Sequence, residues 1–145
     1  MGKKIQKAKV IALNAIQIEE EKMIKFFHCE KCGSLVVKVN DAKCNPVCCG
    51  QDMVELKANT TDAAQEKHVP VISRDGNKVH VEVGSTLHPM EEDHYIEFIA
   101  VVQGEMVQLQ TLQPGQEPKA DFLVQDGPVV AYEFCNKHGL WKAEA

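Results

Sequence analysis

Six cysteines and six histidines carry the chemistry open to this chain. The last cysteine, Cys135, sits in "YEFCNKHGLWK", three residues before His138 and far from the other five, which lie between Cys29 and Cys49. A thiol beside an imidazole is a nucleophile with its base, half of a metal site, or packing. A cysteine hydrolase would need an orienting or oxyanion element, and none is recognisable. The metal reading depends on partners elsewhere in the chain.

The earlier cysteines form one set. "CEKCG" followed by "CCG" offers Cys29, Cys32, Cys48 and Cys49 as four thiolates, a donor set that suits zinc or iron. A generic four-cysteine unit is a zinc staple. Zinc ribbons usually close with a second CxxC, however, and the adjacent pair here departs from that. Cys44 is a fifth candidate, spaced as CxxxC with Cys48. The CxxC and the adjacent pair argue for reduced thiols, and so for the cytoplasm, over a disulfide framework.

The second set gathers around Cys135. His68 lies in "EKHVP" and His138 in "CNKHG". His88 and His94 lie in "LHPMEEDHY", where Pro89 rules out a regular helix. Each alone reads as a surface residue, but with Cys135 they make a five-donor set. A structural zinc is satisfied by four donors. Imidazoles with one thiolate and an open sixth position suit iron that binds a small oxygen ligand, the thiolate pushing electron density toward it. Cys135 is therefore expected as the axial ligand and His138 as its equatorial neighbour. His80 falls on the outward phase of an alternating strand and reads as solvent-facing. His28, beside Cys29, reads as a supporting or surface residue.

These donors need a frame. The composition, 44% hydrophobic and 26% charged, is that of a globular protein. No apolar run is long enough to span a membrane. The net charge is −5. Residues 1–25 contribute +3 and the remainder −8, so the body is acidic, which argues against a nucleic-acid partner. Residues 1–22 read as a Lys-rich extension, helical or frayed, with Met23 as an alternative start. It lacks a convincing secretory signal, because its apolar stretch is short and runs into Glu19, Glu20 and Glu21. Residues 23–57 form a small unit that needs metal or cross-links to fold. "KANTTDAAQE" reads as the linker. Residues 58–145 are strand-rich: "HVPVIS" and "KVHVEVG" flank an Asp75-Gly76 hairpin signal, and "YIEFIAVVQ", "EMVQLQTLQ" and "VVAYEF" follow. Short strands separated by turn signals predict an antiparallel sandwich with no long helix after residue 25.

From Met23 to Ala145 the chain resembles desulfoferrodoxin, the two-iron superoxide reductase family, through "CEKCG", "CCGQDM", "EKHVPV", "HPMEEDHYIE" and "CNKHGLWK" in the family's order. The resemblance implies an all-β chain: a small desulforedoxin-like metal-stapled domain followed by an immunoglobulin-like β-sandwich. It implies two non-haem irons, one held by Cys29, Cys32, Cys48 and Cys49, the other by His68, His88, His94, His138 and Cys135. Glu66 and Lys67 match the family's mobile acid and lysine beside the open site. The implied reaction is one-electron reduction of superoxide, with electrons from a donor such as rubredoxin, in a homodimer. A non-catalytic electron carrier and a zinc-binding adaptor are the competing readings. The residues before Met23 and the extra Cys44 depart from the family pattern.

Overall fold

The computed structural model describes residues 24–145. The readings made for residues 1–22 and for a start at Met23 lie outside the described residues. The chain divides into two compact units, one ending at Leu56 and the other spanning Lys57–Ala145. Among the described residues no helix is long and apolar enough to cross a membrane.

The first unit is built from very short strands. β1 (Lys25–His28) lies between β2 (Leu35–Lys38) and β5 (Val54–Glu55) in an antiparallel sheet. β3 (Val47–Cys48) and β4 (Gln51–Asp52) form a separate hairpin. Among the described residues Phe27, Cys29 and Met53 form a buried cluster, with Cys48 packed against it, and Phe26 is buried too. The apolar surface of these residues alone is too small to hold such a unit without a metal staple.

The second unit is a sandwich of three strands on four, of the immunoglobulin-like type. One sheet has the order β10-β7-β6, from β6 (Pro70–Asp75), β7 (Lys78–Val83) and β10 (Lys119–Leu123). The other has the order β12-β11-β8-β9, from β8 (Ile96–Gln103), β9 (Met106–Thr111), β11 (Val130–Cys135) and β12 (Gly139–Glu144). Every pairing is antiparallel. Period-two alternation sends Val79, Val81 and Val83 of β7 inward, all fully buried. They meet Ile96, Ile99 and Val101 of β8 and Ala131 and Cys135 of β11 in one core. Ile96 and Ile99 are three residues apart yet share this core. A register shift between Phe134 and Cys135 makes that possible, setting Cys135 opposite Ile96.

Two details differ from the sequence reading. The β6–β7 turn is Gly76-Asn77, because Asp75 is still paired with Lys78. Gly76 takes the positive φ (59°) that the first position of such a turn requires. The polar stretch from Lys57 is also not a free linker. Asn59 donates from its backbone to Leu140 O (3.0 Å) and accepts at Oδ1 from Lys142 N (2.9 Å), which lays it along β12. The helix α1 (Gln65–His68) follows as a single turn.

Candidate metal centres

In the first unit the sulfurs of Cys29, Cys32, Cys48 and Cys49 all lie within 4.8 Å of one another. Two turns converge them. Gly33, at φ 81°, closes the CxxC turn by donating to Cys29 O (2.8 Å). Neighbouring residues on a strand point to opposite faces, so Cys48 and Cys49 could not both reach one ion from a regular strand. Cys49 instead lies in the β3–β4 turn at φ 53°, followed by Gly50 at 75°. That unusual conformation for a non-glycine residue brings its Sγ to 3.9 Å from that of Cys48. Cys48 Sγ lies 3.6 Å from Cys32 Sγ. The Ser34 hydroxyl, 3.1 Å from Cys32 Sγ, leads the contacts that lower that thiol to about 6. The surrounding sulfurs, Cys32 foremost, push Cys49 up to about 12. A cluster that gives its first proton readily and its last reluctantly is complete only around a cation. Cys44 is exposed and outside the cluster. Its carbonyl accepts from Lys38 Nζ (2.8 Å).

In the second unit His68, His88, His94 and Cys135 place one donor atom each within 4.8 Å of one another. His138 joins them through Nδ1, 3.1 Å from His68 Nε2 and 3.8 Å from Cys135 Sγ. The four imidazoles close a ring. His68 meets His88 edge to face (74°), His88 meets His94 (81°), His94 meets His138 (77°) and His138 meets His68 (86°), with centroids 4.8–5.1 Å apart. Each ring thus stands nearly perpendicular to the next around the cluster.

Each ligand comes from a different local device. His68 ends α1, and His88 precedes Pro89 in the loop after β7. His94 sits in a tight turn in which its backbone and that of Glu91 bond reciprocally (2.9 and 3.1 Å). Cys135 ends β11 at the register shift. His68 Nδ1 and His88 Nδ1 each lie 2.7 Å from a carbonyl, of Ala64 and Pro89. Each therefore carries its proton on Nδ1 and leaves Nε2 bare. The buried Nε2 atoms of His88 and His94 have no hydrogen-bond partner. Burial lowers His88 to about 4 and also lowers His68 and His94, so these rings are neutral donors at pH 7. Burial raises the Cys135 thiol, opposed by hydrogen bonds from the Lys137 and His138 amides. Orphaned nitrogens converging beside a thiol fit a metal ion.

The site has two unlike sides. A depression of about 420 Å³ is lined by His68, His88, His94 and His138 together with Asp62, Lys67 and Glu91. Cys135 is absent from that lining and fully buried in the core. Glu66 is exposed and does not line the depression; its carbonyl accepts from Thr86 N (2.9 Å). His80 lies outside both clusters, between Asp121 (2.6 Å) and Glu82 (3.1 Å).

Three residues around this site escaped the sequence reading. Asn136 Oδ1 accepts from Tyr95 N (3.0 Å) and its Nδ2 donates to Asp93 O (3.1 Å), tying the Cys135 loop to the His94 turn. Trp141 stacks on His68. Glu133 is fully buried on β11 with neither carboxylate oxygen partnered. Its signal was available: an acid on the inward phase of the apolar "VVAYEFC".

A four-thiolate site on a small β unit and a histidine–thiolate site in a β-sandwich define a two-centre non-haem iron protein. The Desulfoferrodoxin family model matches residues 60–144. A desulfoferrodoxin homolog of Archaeoglobus fulgidus is 49% identical over 121 residues, covering 83% of this chain and 97% of the relative. The desulfoferrodoxin of Nitratidesulfovibrio vulgaris is 45% identical, covering 83% and 96%. Among solved structures, the superoxide reductase of Treponema pallidum is similar with a TM-score of 0.69 and 32% identity, covering 83% of this chain and 98% of that one. The chain belongs to the desulfoferrodoxin family.

Proposed function

We propose that this chain is a superoxide reductase that converts superoxide to hydrogen peroxide at the second centre. The observation that supports this best is the asymmetry of the site: a buried thiol on one side of four imidazoles, and on the other an open depression bordered by Lys67. The reaction combines superoxide with one electron and two protons. Iron held by His68, His88, His94, His138 and Cys135 supplies that electron when bound.

The chain's own groups do the rest. The Ala64 and Pro89 carbonyls keep His68 and His88 turned with Nε2 inward. Burial keeps these rings uncharged, so they do not repel a cation. Lys67 places positive charge at the mouth of a site in an acidic protein, where it draws in an anion and orders water for proton delivery. Glu66, on the same turn, is the acid that reaches in after turnover and helps product leave. That step requires the turn to move, because Glu66 lies outside the lining. Electrons come from an external protein such as a rubredoxin, and the first centre relays or stores them. The reading includes a homodimer in the cytoplasm, supported by the family relationship.

The test is pulse-generated superoxide mixed with the iron-loaded, reduced protein. Fast second-order consumption with hydrogen peroxide as product and no oxygen evolved is expected. Zinc in both centres without visible absorption would make the chain a metal-binding adaptor. Reversible iron reduction without reaction toward superoxide would make it an electron carrier.

A further inference from the structure

Trp141 touches two of the four ring ligands by two different interactions. Its indole stacks on His68 with centroids 5.1 Å apart and planes 24° from parallel. Its Nε1–H donates to the His138 carbonyl at 3.0 Å. The side chain is 2% exposed, so neither contact competes with water. The pair it braces brings two nitrogens to 3.1 Å from residues 70 apart in sequence. Metal–imidazole bonds of about 2.1 Å place two nitrogens at right angles about 3 Å apart. The braced spacing is thus already one that two donors to the same ion would have.

The other histidines are held differently. His68 and His88 have carbonyls on Nδ1, but His138 presents Nδ1 itself to the cluster. The carbonyl that Trp141 grips is the one on the His138 backbone. β12 carries Trp141 to this point because Gly139, at φ 82°, turns the chain immediately after His138. A Cβ at Gly139 would lie 2.9 Å from Thr61 Oγ1. The hairpin from Cys135 to Trp141 therefore supplies two metal donors and their brace together.

We propose that Trp141 is a positioning residue for the second centre, preorganising His68 and His138 at cis-ligand spacing before any metal binds. The proposal rests on this centre holding a metal, and it is independent of superoxide being the substrate. Supporting groups behind metal ligands typically change affinity 10–100-fold.

The experiment loads both centres of the full chain with Co(II), withdraws the metal with a competing chelator and follows both centres by visible absorption, the four-thiolate centre serving as internal control. Trp141→Leu removes both contacts and should weaken binding at the second centre by about 10–100-fold while leaving the first unchanged. Trp141→Phe keeps an aromatic face on His68 but lacks the N–H donor, so it should fall between Leu and the unaltered protein. If Trp141→Leu fails to fold, the Phe variant decides: its iron form should show a shifted thiolate-to-iron band. Unchanged Co(II) affinity in the Leu variant, equal weakening at both centres, or an unshifted band in the Phe variant would each overturn the proposal. Loss of superoxide reactivity with normal metal affinity would also count against it, since the effect would then lie in the reaction and not in ligand placement.

Discussion

His68 Nε2 and His138 Nδ1 lie 3.1 Å apart although 70 residues separate them in sequence. Neither could keep a proton on that atom beside a cation, and the Ala64 carbonyl already fixes the proton of His68 on the far nitrogen. The contact shows a binding site drawn together by the sandwich: α1 delivers one ring and the β11–β12 hairpin the other.

The two centres should separate by mutation. Cys29→Ser should abolish the absorption of the four-thiolate iron and leave superoxide reduction largely intact. Cys44→Ser should leave two irons per chain, because Cys44 stands outside the cluster. Iron analysis and absorption spectra check both. Loss of all activity in Cys29→Ser with the second iron retained would make the first centre obligatory.

Asn136→Ala should loosen the second centre alone. The side chain contributes two hydrogen bonds that join the Cys135 loop to the backbone on either side of His94. At about 1 kcal/mol net for each, the loss in metal affinity is bounded at ~30-fold. Competition with a chelator measures it, and release of iron from the four-thiolate centre would point to general unfolding.

Glu133→Met should raise the melting temperature. Burial holds this carboxyl well above its ordinary range, and both oxygens lack partners. An unsatisfied buried polar group costs about 1–3 kcal/mol, which a methionine of similar size avoids. A lower melting temperature would mean that the carboxyl has a partner in the assembled protein.

The pH dependence of stability should carry a small signature of His80. Its pKa is raised, first by Asp121 and then by Glu82, and Asp121 is lowered, first by His80. A raised histidine contributes stability that is complete below its unfolded value of 6.5 and is lost as pH climbs through the folded value. A lowered aspartate contributes above 3.8 and loses it as pH falls. The stability difference between the unaltered protein and His80→Ala should therefore peak between these two values. It should be small, because both side chains are partly exposed and Lys78 also reaches Asp121. Iron content should not change, and denaturant titrations across pH test the rest.

The ligands were legible because their types are rare and their chemistry narrow. Cys29, Cys32, Cys48, Cys49 and Cys135 stand out by type and spacing, and His68, His88, His94 and His138 only as a set with Cys135. The alternation of Val79, Val81 and Val83 was also legible, since period two is local. What the sequence left unread depends on register across long separations. Asn59 looks like a linker residue until β12 lies beside it, 83 positions later. Trp141 shows what it does only once its indole meets His68. β10 and β12 carry mixed, polar sequences and become strands by pairing with β7 and β11.

Lys67→Ala should slow the encounter with superoxide without emptying the metal site. The effect is electrostatic. The protein carries a net charge of −5, so it repels an anion at long range. Lys67 lines the depression above the four rings, whereas Glu66 does not. Screening over roughly 8 Å at physiological salt confines the lysine's help to the last stage of approach. One charge at about 4 Å in water is worth about 1 kcal/mol, so the second-order rate constant should fall about fivefold. Its decline with added salt should also weaken, because an attraction has been removed. Glu66→Ala should behave differently, altering the spectrum of the oxidised centre and its pH dependence while leaving the encounter rate near that of the unaltered protein. Pulse radiolysis of both variants across ionic strengths separates the two roles. If Lys67→Ala keeps the original rate and salt slope, the lysine is a surface charge only, and attraction by the metal centre suffices to bring superoxide in.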